Sequence, residues 1–153
     1  MKKIAFLFVA CLVPSVLFSA PSKVYRVPTA SGSSSTEIQI AVSDEVTNLV
    51  TGTGKLTFRM PYAMTLTEVR ASVTTAPTGS TIIVDINEGG STVMTTNKLS
   101  IDASEKTSTT SATAAGITDS SLADDSEITI DIDQVGSTIA GVGLKVTLKG
   151  TKA

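Results

Sequence analysis

KLTFRMPYAMTLTEVRASVTTAPTGSTIIVDINEGG, residues 55–90, alternates apolar and polar side chains three times over. Leu56, Phe58 and Met60 alternate with Lys55, Thr57 and Arg59; Met64 and Leu66 with Thr65 and Thr67; Ile82, Val84 and Ile86 with Thr81, Ile83 and Asp85. A period of two sends one set of side chains to a buried face and the other towards solvent, so the stretch reads as three β-strands. Pro61 ends the first, because proline has no amide hydrogen to give to a central ladder. The middle strand, 63–75, carries a phase error: Leu66 belongs to one face, Val69, Ala71 and Val73 to the other. A β-bulge near Thr67 and Glu68 is therefore expected, returning the apolar set to the core. Ala76-Pro77-Thr78-Gly79 supplies a turn and Glu88-Gly89-Gly90 a tight hairpin.

Working outward, the same alternation recurs. Ile38, Ile40 and Val42 predict a strand before this stretch, joined to it by a polar connection, 43–54, with Val46, Leu49 and Val50 as its anchors in the core. After it, 91–96 is expected to pair back on the hairpin, and Leu99 and Ile101 to form a short strand. Residues 103–113 read as a Ser/Thr/Lys loop, 114–118 as a brief strand and 119–125 as a turn segment. Ile128, Ile130 and Ile132 point inward from 127–133, a Gly-punctuated loop covers 135–143, and Leu144, Val146 and Leu148 close the domain. About eight strands with Gly/Pro turns, and no helical period after the first 22 residues, give an all-β fold: an antiparallel β-sandwich of jelly-roll type spanning 37–150.

The 153 residues suit one domain with a leader. Aromatics make up only 4%, with no Trp, so the core must be aliphatic. A net charge of −2 leaves no basic footprint for nucleic acid. Residues 1–22 are of another kind: Lys2 and Lys3, an apolar run 4–18, then Ser19, Ala20 and Ser22. That order matches a secretory signal peptide; the alternative is an uncleaved apolar arm that docks on another subunit. Residues 23–36, with Pro28, Gly32 and a Ser run, read as a linker. Cys11, the single cysteine, lies in the apolar run, so the domain itself has neither a disulfide nor a Cys-based metal site.

The chain has no histidine, which excludes Ser-His-Asp and Cys-His catalysis and His-containing zinc sites. Carboxylates remain. Asp131 and Asp133 share the outward side of one strand, and Asp85 sits on the outward side of another; on neighbouring strands the three would cluster. A glycosidase acid/base pair and ordinary solvated acids are the two meanings of such a cluster. Asp119, Asp124 and Asp125 around a turn are candidate oxygen ligands for calcium, the one cofactor considered. Arg59 and Tyr62 flank Pro61 at a strand end and are candidates for contact with a sugar or protein partner, against a Tyr that simply caps the open end of the sandwich. The loops 106–113 and 136–143 are long enough for recognition.

The strings GTGKLTFRMPYAMTLTEVRASVTTAPTGSTIIVDINEGG (52–90), IDASEKTSTT (101–110) and ITDSSLADDSEITIDIDQVGSTIAGVGLKVTLKG (117–150) resemble a β-sandwich module of tailed-phage virion structural and tail-fibre proteins, over about Ile40 to Gly150. The resemblance implies a non-enzymatic sandwich at or near the end of a virion appendage, presenting loops to the host surface. It implies other virion proteins and a host glycan or protein as partners, a homo-oligomer (a trimer in that family), and residence in the virion tail. The leader points to an alternative, a secreted bacterial module that binds glycans or surfaces.

Overall fold

The computed structural model describes residues 34–153; the leader at 1–22, with Cys11, and nearly all of the linker lie outside the described residues. Among the described residues nine strands run β1 Ser35–Ala41, β2 Gly52–Arg59, β3 Met64–Ser72, β4 Ile82–Glu88, β5 Ser91–Thr92, β6 Leu99–Ile101, β7 Ser121–Leu122, β8 Glu127–Gln134 and β9 Lys145–Lys152. A 3-10 turn, Ser108–Thr110, interrupts the long loop between β6 and β7. One sheet has the order β1-β9-β3-β7; the other runs β2-β8-β4, with β5 and β6 both pairing with β4. All pairings are antiparallel. These interleaved orders are those of a jelly roll, two Greek keys folded face to face.

The core lies between the sheets and is aliphatic. Ile82, Val84 and Ile86 of β4, Ile128, Ile130 and Ile132 of β8, and Val146 and Leu148 of β9 are all essentially inaccessible. Each such side chain contributes on the order of 1.5–3 kcal/mol relative to exposure. The bulge expected near Thr67 is present: the β3–β9 register shifts between Leu66 and Glu68, and both Leu66 and Val69 are buried. Gly150, opposite Leu66, makes this crossing possible, since a Cβ there would sit 2.2 Å from the Thr65 carbonyl oxygen. The hairpin at Gly89-Gly90 has positive φ at both residues, 55° and 84°, as a two-residue type I′ loop requires.

Four details differ from the sequence expectation. β1 begins at Ser35, inside the segment read as linker. Leu49 is buried, but Val46 and Val50 are 87% and 60% exposed. Leu49 docks through its amide on the Gly141 carbonyl (2.9 Å), while Asp44 caps the amides of Val46 and Thr47 (2.8 and 2.6 Å), turning Val46 outward. Residues 114–118 form no strand; the pairing falls instead at Ser121–Leu122, on the start of β3. Residues 91–96 pair for only two residues before the chain leaves the sheet.

That departure shapes the molecule. β5 and β6 are two ends of one edge strand: Thr92 lies opposite Asn87 and Leu99 opposite Val84, with an excursion through 93–98 between them. The loop 102–120 then crosses the flank of the sandwich. It is held by Ser104 N–H to the Pro77 carbonyl (2.8 Å), Gly116 N–H to the Asn97 carbonyl (2.9 Å) and Thr118 N–H to the Val93 carbonyl (2.8 Å).

Candidate functional site

The outward face of the second sheet gathers the acids that the alternation places there. Asp85 on β4 lies directly opposite Asp131 on β8, with Asp133 two residues further along. The Asp85 side chain is only 8% exposed, because the 93–98 excursion folds over it and delivers Lys98. The Lys98 ammonium stands 2.8 Å from Asp85 Oδ2 and 2.6 Å from Asp133 Oδ2. Its hydrogen bond to Asp133, then that to Asp85, raises the Lys98 pKa above the ordinary lysine value. Asp85 Oδ1 accepts from the Thr92 hydroxyl (2.5 Å) and the Ile86 amide (2.9 Å). Asp131 accepts from the Gly54 amide (2.6 Å) and the Asn87 side-chain amide (3.1 Å). Each carboxylate thus has its partners within the fold. The ammonium fills the space between Asp85 and Asp133 into which a glycosidic oxygen or a water would have to come for acid/base chemistry.

Two clefts flank the 102–120 loop, sharing Ser100 and Thr113. One, of about 370 Å³, lies towards β3 between Thr67–Arg70 and the hydroxyls of Ser108, Thr109 and Ser111. The other, of about 440 Å³, lies towards β4 and β8, over Ile83, between Thr96–Lys98 on one side and Asp102, Thr113 and Gln134 on the other. Its walls are braced. Asp102 accepts from the Ala112 amide (2.8 Å) and the Ser111 hydroxyl (3.2 Å), Ser100 and Ser111 hydroxyls bond at 2.7 Å, and Gln134 donates to the Thr81 carbonyl (2.7 Å).

Arg59, Tyr62, Asp119, Asp124 and Asp125, singled out from sequence for binding or calcium, fall elsewhere, at the opposite end from the 135–144 loop. Arg59 ends β2, where it donates to the Asp125 carbonyl (3.1 Å) and pairs with Glu127 (3.4 Å), a well-exposed pair. Tyr62 is half-buried against the core; its hydroxyl bonds Thr36 (2.7 Å) and Lys152 sits 4.9 Å from its ring centre. That is the environment of a capping tyrosine. Asp124 and Asp125 lie in the tight β7–β8 turn, where Asp125 N–H donates to the Met60 carbonyl (3.0 Å). Asp119 precedes β7, its carboxylate accepting from the Ser121 amide (3.1 Å). The structure does not gather the three acids into a ligand set: among the described residues no group of three or more acidic side chains is placed to hold one ion. Lys98, Asn97, Asp102 and Gln134, which line the larger cleft, carry no local motif.

Comparison with protein-family models, with curated proteins and with solved structures finds no match to this chain.

Proposed function

We propose that the protein is a non-enzymatic attachment module, a jelly roll of a virion appendage such as a tail fibre, that offers its flank and loops to a host surface. The observation that carries this is the closed state of the acidic network: Asp85, Asp131 and Asp133 are each bonded within the fold, and one lysine occupies the gap between two of them. The absence of histidine and of a domain cysteine removes the common nucleophile–base pairs. What remains for interaction is a rigid frame with hydroxyl- and amide-lined clefts beside a long loop, the usual place for recognition. The resemblance of 52–90 and 117–150 to tail-fibre modules supports the virion setting. The signal-peptide-like residues 1–22 favour the second reading, a secreted bacterial module that binds surface glycans.

The test is binding of fluorescently labelled full-length chain to intact bacterial cells. Saturable adhesion that survives mild heating of the cells but is lost when their surface polysaccharide is stripped supports attachment. Turnover of a chromogenic glycoside panel, abolished by Asp133→Asn, would refute the non-enzymatic reading. N-terminal sequencing of the native protein separates the settings: an intact Met1 in particles supports the virion, a start near residue 23 supports secretion.

A further inference from the structure

We infer that the 440 Å³ cleft between the 93–98 excursion and the 102–120 loop is a seat for one uncharged sugar residue of a glycan. This deepens the attachment reading and rests on it. The volume lies within the range of about 300–1,000 Å³ found for small-molecule sites. Its polar groups divide into two sets. Lys98, Asp102, Ser100 and the Gln134 amide nitrogen are committed to the fold and make the walls stiff. The side chains of Thr96, Asn97 and Thr113 take no hydrogen bond among the described residues, and neither does the Gln134 side-chain oxygen. The second set offers donors and acceptors in mixture, which suits hydroxyls, each of which both donates and accepts.

Charge narrows the ligand. Lys98 and Asp102 are the charged side chains of the lining, and Lys98 is already paired with Asp85 and Asp133 outside it, so the cleft and its immediate surroundings are net negative and an anionic sugar is repelled. The same carboxylates are already bonded, and no ligand set for a metal forms here among the described residues. The floor is the half-buried side chain of Ile83, an aliphatic patch against which the C–H face of a pyranose can lie. With no aromatic ring in the lining, affinity for a single sugar is weak, on the order of millimolar. Useful attachment then comes from several copies acting together.

The experiment is amide chemical-shift mapping of the full-length chain titrated with glucose, galactose and N-acetylglucosamine, with glucuronate as the anionic counterpart. The expected result is saturable shifts for at least one neutral sugar, centred on Thr96–Asp102 and Thr113, and at least tenfold weaker binding of glucuronate. The paired variant Asn97→Ala/Thr113→Val, whose side chains take no hydrogen bond among the described residues, should lose at least tenfold in affinity while melting at the same temperature. Overturning results are no saturable shift with any neutral sugar, shifts centred elsewhere, or glucuronate binding as tightly as glucose. The cell-adhesion assay separates the two levels. Adhesion unchanged in the paired variant removes the cleft and leaves the attachment reading standing; no adhesion by the native chain removes both.

Discussion

Each outward face of the sandwich carries an ion cluster, one acid between two cations on one face and one cation between two acids on the other, and the two clusters differ in burial. On the β1-β9-β3 face, Glu68 pairs with Arg70 (2.5 Å) and with Lys149 (3.1 Å), all three side chains remaining 32–45% exposed. On the β2-β8-β4 face, Asp85 pairs with Lys98 (2.8 Å) but is 8% exposed, with Asn87 buried beside it. The strands beneath are alike in pattern. What differs is a single excursion, 93–98, that leaves the sheet and covers one face. Burial turns an ordinary exposed pair, worth little, into one whose partners depend on each other.

The most severe break reaches beneath both faces. Ile130 is inaccessible and lies between Leu56 and Ile86 on its neighbours. Ile130→Asp places an unpaired charge in the core and should abolish folding, read as loss of the strand signal in circular dichroism and of soluble expression. A near-native melt would show the inward face to be misassigned. Leu99→Ala, just past the excursion, should cost about 3 kcal/mol in urea unfolding, against less than about 0.5 kcal/mol for Val46→Ala, which removes an exposed side chain.

Lys98→Met should cost about 2 kcal/mol, below the roughly 3–5 of a fully buried pair because the lysine itself is 38% exposed. Lys149→Met on the other face should cost no more than about 0.5 kcal/mol. Equal losses from the two would show that burial does not set the two clusters apart. The smallest effect is in pH. Lys98 has a raised pKa, so its stabilisation is whole below the ordinary lysine value of 10.5 and is lost as pH climbs through the higher folded value. Glu68 is lowered, by Arg70 first and Lys149 second. Its stabilisation is whole above the ordinary 4.5 and fades as pH falls through the lower folded value. Melting curves against pH should therefore lose their alkaline arm in Lys98→Met and soften on the acid side in Glu68→Gln.

Much of the frame was legible because it is local. Alternation at 82–86 and 128–132 needs only neighbours two apart, the phase error at Leu66–Val69 announces its bulge, and Gly89-Gly90 announces its turn. The juxtaposition of Asp85 with Asp131 was legible as a condition, met once β4 and β8 proved adjacent. What was not legible depends on crossings. Nothing near Lys98 says that it will lie over β4, since that follows from where β6 resumes pairing. Val46 and Val50 resemble Leu49 in hydropathy, yet only Leu49 meets the 135–144 loop. Asp119 is five residues from Asp124, but two residues of β7 hold them apart.

The acidic cluster is a lock within the fold, with Lys98 bridging Asp85 and Asp133. A double-mutant cycle on Asp85→Asn and Lys98→Met, by equilibrium urea unfolding, tests this most directly. The account predicts that the double variant is little less stable than either single one, a coupling of at least about 1 kcal/mol. Strictly additive losses, or a gain in stability on removing either charge, would contradict it.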